Sequence, residues 1–346
     1  KTFYAEVEQT EAGCKIWMLG YNDNAVLRAV QYVYMQSVEN GSFAIPQYFK
    51  VTVTPPGTRD PCILPYDGTY YLYSATGSGY GVQTSKDLLK WTTRKTVFSK
   101  DSDPSFTGTD NFWAPECHFY NGAFYLFATY KDRVTGHRGC AVFRSVSPDG
   151  NFVLISKQSA SSGKVGHFTP LDWDSIDATL YVDENGKPWA VFVHEWTSTS
   201  DGIGRMVYAP LSEDLTHITA EPVEMFRADS PAWTNRNVTD GPYLYRCQNG
   251  TLLMIWSNFS GNGYTTGIAV SSNGRLDGSW SQVDLPLYWA NKRSIYNVIP
   301  GGHGMLFRDF NGRLFLSVHA PNSEDEALML VPLVERDGML YQDVVR

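Results

Sequence analysis

No stretch of this chain stays apolar for the roughly 20 residues that a membrane-spanning helix needs. Basic residues are in deficit: 28 Lys and Arg against 36 Asp and Glu leave a formal net charge of −8. No polybasic run marks a nucleic-acid or membrane footprint. The acidic balance suits a soluble protein working on a neutral partner. Cysteine is sparse and odd in number, with Cys14, Cys62, Cys117, Cys140 and Cys247 scattered along the chain. Without a Cys-x-x-Cys pair, neither a zinc site nor a redox motif is indicated. The cysteines are expected as small, buried apolar residues, with Cys62 and Cys117 on strands. Helical periodicity is also nearly missing, the one competing stretch being 25–37.

Aromatic residues and a long repeat stand out instead. Trp, Tyr and Phe number 10, 21 and 18; most suit strands packed in a core, and flat rings also stack on sugar faces. Five times the chain runs from a short acidic or His-bearing motif into an apolar segment, then a Gly-containing turn, then a second apolar segment. The turns are Asp67-Gly68, Asn121-Gly122, Asn185-Gly186, Asn249-Gly250 and Asn311-Gly312. Such dipeptides supply the positive φ of a tight hairpin. A third and a fourth strand follow in each copy. The motif positions 60, 116, 177, 240 and 303 lie 56 to 63 residues apart. Four antiparallel strands repeated five times predict an all-β, five-bladed β-propeller. Residues 55–346 form the propeller in this reading, and residues 1–54 pack on it or close its ring.

Inner strands of a propeller start around one axis, so equivalent residues converge. The repeat therefore aims Asp60, Glu116, Asp177, Asp240 and His303 at a common channel. Asp60 and Asp240 could instead serve turns, and Glu116 or His303 could be satisfied structural groups, but together they make a costly cluster of like charge. Glycosidic hydrolysis has a use for it, because one carboxyl must hold a proton while another is ionised. Trp113, Trp196, Phe168 and Trp173 are candidate sugar platforms or core residues.

Arg59-Asp60-Pro61, Phe112-Trp113-Ala114-Pro115-Glu116, Ser175-Ile176-Asp177-Ala178, Asp240-Gly241-Pro242 and Gly301-Gly302-His303-Gly304, in this order and spacing, resemble glycoside hydrolase family 43 over roughly residues 55 to 345. The resemblance implies a five-bladed propeller that hydrolyses sugars with inversion and requires no cofactor. It assigns the general base to Asp60 and the tuning of the acid to Asp177. The acid opens the fourth blade and is Glu in the family; here it is Asp240, one methylene shorter. Three readings stay open: Asp240 is the acid, Glu195 or Glu116 replaces it, or the chain is an impaired propeller that only binds carbohydrate. His303 matches a family His that contacts a central cation, commonly calcium, through water. For an inverting enzyme the working carboxyls should stand about 6.5–9.5 Å apart. Expected substrates are plant-type polysaccharides or oligosaccharides: α-L-arabinofuranosides first, then β-xylosides, then galactosides. Glu116 would line the substrate site. The chain starts at Lys1 without a signal peptide, and the expected location is extracytoplasmic, secreted or periplasmic.

Overall fold

A computed structural model describes residues 57–343 apart from 292–296, 298 and 324, together with the backbone of a few strands before residue 57. The stretch 25–37 lies outside the described residues. Strands Thr2–Thr10, Gly13–Gly20 and Tyr48–Thr52 form a three-stranded antiparallel sheet of their own.

Val38–Glu39 and Ser42–Phe43 pair as a two-stranded sheet, and the strands from Cys62 onward make five four-stranded antiparallel sheets, each drawn from consecutive chain. Blade 1 runs Cys62–Tyr66, Thr69–Thr76, Gly79–Ser85 and Lys95–Ser99. Blade 2 runs Gly108–Tyr120, Ala123–Asp132, Arg138–Ser145 and Val153–Leu154. Blade 3 runs Ser175–Val182, Pro188–His194, Arg205–Pro210 and Val223–Arg227. Blade 4 runs Asp240–Arg246, Leu252–Ser260, Gly263–Ser271 and Trp280–Gln282. Blade 5 runs Gly302–Arg308, Leu314–Ala320, Ala327–Arg336 and Met339–Gln342. This is the five-bladed propeller expected from the repeat.

Each second strand is covered by a neighbouring blade on both faces, so it reads as a continuous apolar run rather than an alternating one. Five buried clusters fill the five seams. Tyr73 and Tyr80 meet Phe124 and Phe143 between blades 1 and 2. Phe127 and Val142 meet Ala178 and Phe192 between blades 2 and 3. Val191 and Met206 meet Met254 and Trp256 between blades 3 and 4. Ile255 and Ile268 meet Leu316 and Val331 between blades 4 and 5. Ile63 and Leu72 meet Phe307 and Phe315 where blade 5 returns to blade 1. Each buried aliphatic or aromatic side chain contributes about 1.5–3 kcal/mol, so packing between blades holds the ring shut, and among the described residues no strand is exchanged between the first and last blade. Cys62, Cys117, Cys140 and Cys247 are buried and unpaired.

The turns divide into two kinds. Asp67-Gly68 and Asn121-Gly122 have both residues at positive φ, the two-residue turn that matches strand twist. In blades 3, 4 and 5 only the glycine has positive φ, and five residues separate the paired strands. The glycine N–H there closes on a carbonyl three residues back, as Gly186 does on Asp183 and Gly312 on Asp309. The carboxyls of Asp183 and Asp309 accept further backbone N–H groups inside these loops. The tight hairpin expected at all five turns therefore holds for two; in the others the extra residues are organised by side-chain acceptors.

The inner strands of blades 2 to 5 each carry a register break near the axis end. At this break one residue takes positive φ: Ala114, Asp177, Gly241 and His303, with Asp60 alike at the head of blade 1. This corrects the alignment of the repeat. Asp60, Asp177 and His303 are equivalent, Ala114 and Gly241 take that place in blades 2 and 4, Asp240 precedes it by one residue, and Glu116 follows it by two.

Candidate active site

Four of these five positive-φ residues are held by a hydrogen bond to the preceding blade. Thr129, Ser257 and His319 sit at matching positions on the second strands of blades 2, 4 and 5, opposite Trp113, Asp240 and Gly302. The Asp177 N–H donates to Thr129 Oγ1 at 3.0 Å. The His303 N–H donates to Ser257 Oγ at 2.8 Å, and the Asp60 N–H to His319 Nδ1 at 3.3 Å. Blade 3 has Val193 at this place, opposite Ile176, and no side-chain acceptor to offer. There the Gly241 N–H donates to Asp177 Oδ2 instead, at 3.1 Å. A left-handed backbone costs a non-glycine residue roughly 1–2 kcal/mol, and these bonds fix it where the axis needs a side chain.

Asp60, Asp177 and Asp240 gather with two imidazoles, His303 and His319. His303 Nδ1 lies 3.2 Å from Asp60 Oδ1 and 3.7 Å from Asp177 Oδ2. Burial alone would push the Asp60 carboxyl up; the opposing fields of His303, His319 and Arg59 outweigh it and hold the group down at about 2. Burial, then the nearby Asp60 charge, push Asp177 well above the usual carboxylate range. Asp240 is pushed up to about 7 by burial and by Asp177, with His303 and a hydrogen bond from Tyr264 working the other way. Tyr264 donates that bond to Asp240 Oδ2 at 2.8 Å. Its ring stacks on His319, centroids 5.4 Å apart at 21°, and His319 Nε2 donates to Asn322 Oδ1 at 3.0 Å.

Two further expected acids, Glu195 and Glu116, border the cluster, and the charge of each adds to the rise of the Asp177 carboxyl. The Glu195 carboxyl is held by Arg138, whose Nε donates to it at 2.7 Å, within a group that includes Asp174 and Thr197. Burial raises the Glu195 carboxyl and the Arg138 bond opposes the rise. Glu116 is buried further down the channel, bonded to Thr179 and His118. It borders a cavity of about 500 Å³ whose wall includes Cys62, Tyr243 and Met305 rather than the aspartates. Its two-residue offset along the strand puts it there.

The aromatic candidates also divide. Trp113 is 37% exposed, with the Arg138 guanidinium 5.6 Å from its ring centre, an open face with a cation behind it. Trp196 is partly buried against the seam between blades 3 and 4, and Trp173 stacks on His194 at 3.8 Å. Phe168 is fully buried between Phe127 and Phe192. It presents no face to a sugar, which corrects its expected role as a platform.

The family model described as glycosyl hydrolases family 43 matches residues 49–337. The chain belongs to that family. A crystal structure titled as an endo-arabinase from Bacteroides thetaiotaomicron is 33% identical, with a TM-score of 0.72 over 83% of this chain and 99% of that one. A thermostable family-43 glycoside hydrolase is 26% identical, with a TM-score of 0.70 over 83% and 93% of the two chains. In sequence, an extracellular exo-α-(1→5)-L-arabinofuranosidase of Cellvibrio japonicus is 30% identical over 48% of this chain and 46% of its own length. An extracellular endo-α-(1→5)-L-arabinanase of Bacillus subtilis is 24% identical over 52% and 56%. The matched stretch thus spans about half the length of these named relatives.

The sequence reading missed Tyr264, His319, Thr129, Ser257 and Arg138. A signal for three of them is present: Thr129, Ser257 and His319 each end an apolar run with a side chain able to accept a hydrogen bond, at the same place in the repeat.

Proposed function

We propose that this family 43 glycosidase hydrolyses α-L-arabinofuranosidic bonds of plant-type polysaccharides or oligosaccharides with inversion, using Asp60 as general base and Asp240 as general acid. One observation carries the assignment: two carboxyls on one axis held in opposite protonation states, Asp60 down at about 2 and Asp240 up at about 7. Near pH 6 the first can take a proton and the second can give one. Asp60 removes a proton from water as its oxygen bonds to the anomeric carbon. The bond from that carbon to the leaving oxygen breaks, and the Asp240 proton moves to that oxygen. Exchange with solvent then restores both groups. Asp177 adds to the burial that raises the acid, since two such close carboxyls resist ionising together, and it anchors the acid's own strand through the Gly241 N–H.

The arabinan-directed names of the relatives support the sugar class, with β-xylosides and galactosides as the next candidates. Glu195, tied to Arg138, is read as holding that cation under Trp113, where a neighbouring sugar unit would stack. Family 43 chemistry needs no cofactor. Among the described residues no group of three or more His, Cys, Asp or Glu is arranged to hold a metal. A cation near His303 would therefore be held through its water shell. The relatives named as extracellular support an extracytoplasmic location. No helix among the described residues is long and apolar enough to cross a membrane. Residues 1–54 are read as an accessory layer on the propeller.

The test is hydrolysis of arabinofuranoside, xyloside and galactoside chromogens and of arabinan oligosaccharides, with Asp60→Asn, Asp240→Asn and Glu195→Gln beside the wild type. Asp60→Asn should abolish turnover, and Asp240→Asn should lower it by about 10²–10⁴-fold on unactivated substrates. Full activity in Asp240→Asn together with its loss in Glu195→Gln would transfer the acid to Glu195. Binding without turnover in the wild type would replace the enzyme by a carbohydrate-binding propeller.

A further inference from the structure

The acid of this chain is one methylene shorter than the Glu of its family's pattern, and a carboxyl on a short stem needs something to aim it. The geometry points to Tyr264 as the positioning residue for Asp240, fixing which oxygen of the shortened acid faces the substrate. This rests on the reading of Asp240 as the acid. Tyr264 lies on the third strand of blade 4, just past the turn that follows Ser260. Its side chain is 3% exposed, and its hydroxyl donates to Asp240 Oδ2. That bond occupies one carboxyl oxygen and leaves Oδ1 to carry the proton. The ring cannot swing away. It stacks on His319 on one side, and on another Gly302 is so close that an added Cβ would come within 2.7 Å of it. Glycine at position 302 is thus the residue that admits Tyr264. His319 in turn holds the Asp60 N–H, so a single stacked pair sets the acid and the base in one frame.

The hydroxyl bonds the charged form of the acid, and the position of the pH limb therefore reports it. Removing that hydroxyl raises the acid's pKa, since an ionised carboxylate loses a donor. Tyr264→Phe keeps the stacked ring and removes only the oxygen. We expect kcat to fall about tenfold on arabinofuranosides with poor leaving groups, KM to change little, and the alkaline limb of the pH–rate profile to move to higher pH. Nitrophenyl substrates, which need little protonation, should be nearly unaffected. A Tyr264→Phe enzyme with an unmoved alkaline limb and an equal loss on all leaving groups would overturn the proposal. Unchanged kinetics on every substrate would overturn it too. Circular dichroism and thermal melting check that the variant is folded, and Tyr264→His, which restores a donor, should recover part of the lost rate if the variant melts early. Asp240→Asn run in parallel separates the two claims. If it leaves slow-leaving-group turnover intact, the acid assignment fails; if it removes that turnover while Tyr264→Phe does nothing, only the positioning role fails.

Discussion

Asp60 and Asp240 face the same channel, yet pH acts on them in opposite senses. The base works ionised, so activity is lost as pH falls through about 2. The acid works protonated, so activity is lost as pH rises through about 7. A bell-shaped kcat/KM profile with its alkaline limb near neutrality is expected, and Asp240→Asn should erase that limb on activated substrates. Stability follows the same sign. A folded-state pKa raised from 3.8 to about 7 means the protonated acid favours the fold at low pH. That contribution is complete below about pH 4 and lost as pH rises through about 7, an upper bound of about 4 kcal/mol. Asp240→Asn should therefore melt increasingly above the wild type between pH 5 and 8 in a thermal-denaturation series. An equal difference at both ends of that range would contradict the raised pKa. At this scale the sequence displayed Asp60, Asp177, Asp240 and His303 as recurring motif positions, and all four do meet. It could not display Tyr264, because a lone Tyr on a third strand resembles any core aromatic until its hydroxyl is seen to reach an acid 24 residues earlier in the chain.

At the scale of the strand, the bulge decides the site. A residue at positive φ turns its side chain to the axis, and the spacing of the repeat drifts by one or two residues around it. The drift explains why Glu116 fell among the expected axial acids: the distance from Pro115 to the next motif looks regular in sequence, whereas pairing shifts between Trp113 and Glu116. Asn-Gly and Asp-Gly turns were legible as hairpins because their chemistry is local; loop length was not, since it depends on acceptors such as Asp183 and Asp309. Gly241 tests the bulge directly. It has φ +50, and a Cβ there would lie 2.8 Å from His303 Cδ2. Gly241→Ala should cost about 1–3 kcal/mol and lower kcat/KM by up to about 10²-fold, because the His303 ring must move off its contact with Asp60. Gly122→Ala is the matched control, with φ +77 and open space around the new methyl. It should destabilise by the backbone term alone and leave kcat/KM unchanged, as urea unfolding and steady-state kinetics on the pair would reveal.

Among the described residues the ring closes between blades 5 and 1 by packing and polar contacts, and Asp60, the proposed general base, sits on that seam. Asp60 is held by His319 from blade 5, the neighbouring Pro61 carbonyl accepts from Ser317 Oγ at 2.9 Å, and Arg59 pairs with Glu326 at 2.8 Å. Beneath them lies the cluster containing Leu72, Phe307 and Phe315. Loosening this seam therefore shifts the base relative to the acid, whereas loosening another seam does not separate Asp60 from His319. Leu72→Ala and Leu252→Ala remove the same side chain from fully buried sites, the first in the closing seam and the second between blades 3 and 4. Each should cost about 2–5 kcal/mol. Only Leu72→Ala should also lower kcat well below the melting transition, by roughly tenfold, since small misplacements of a reacting group are amplified in rate. Equal kcat in the two variants at matched stability would show that the closing seam does not set the position of the base.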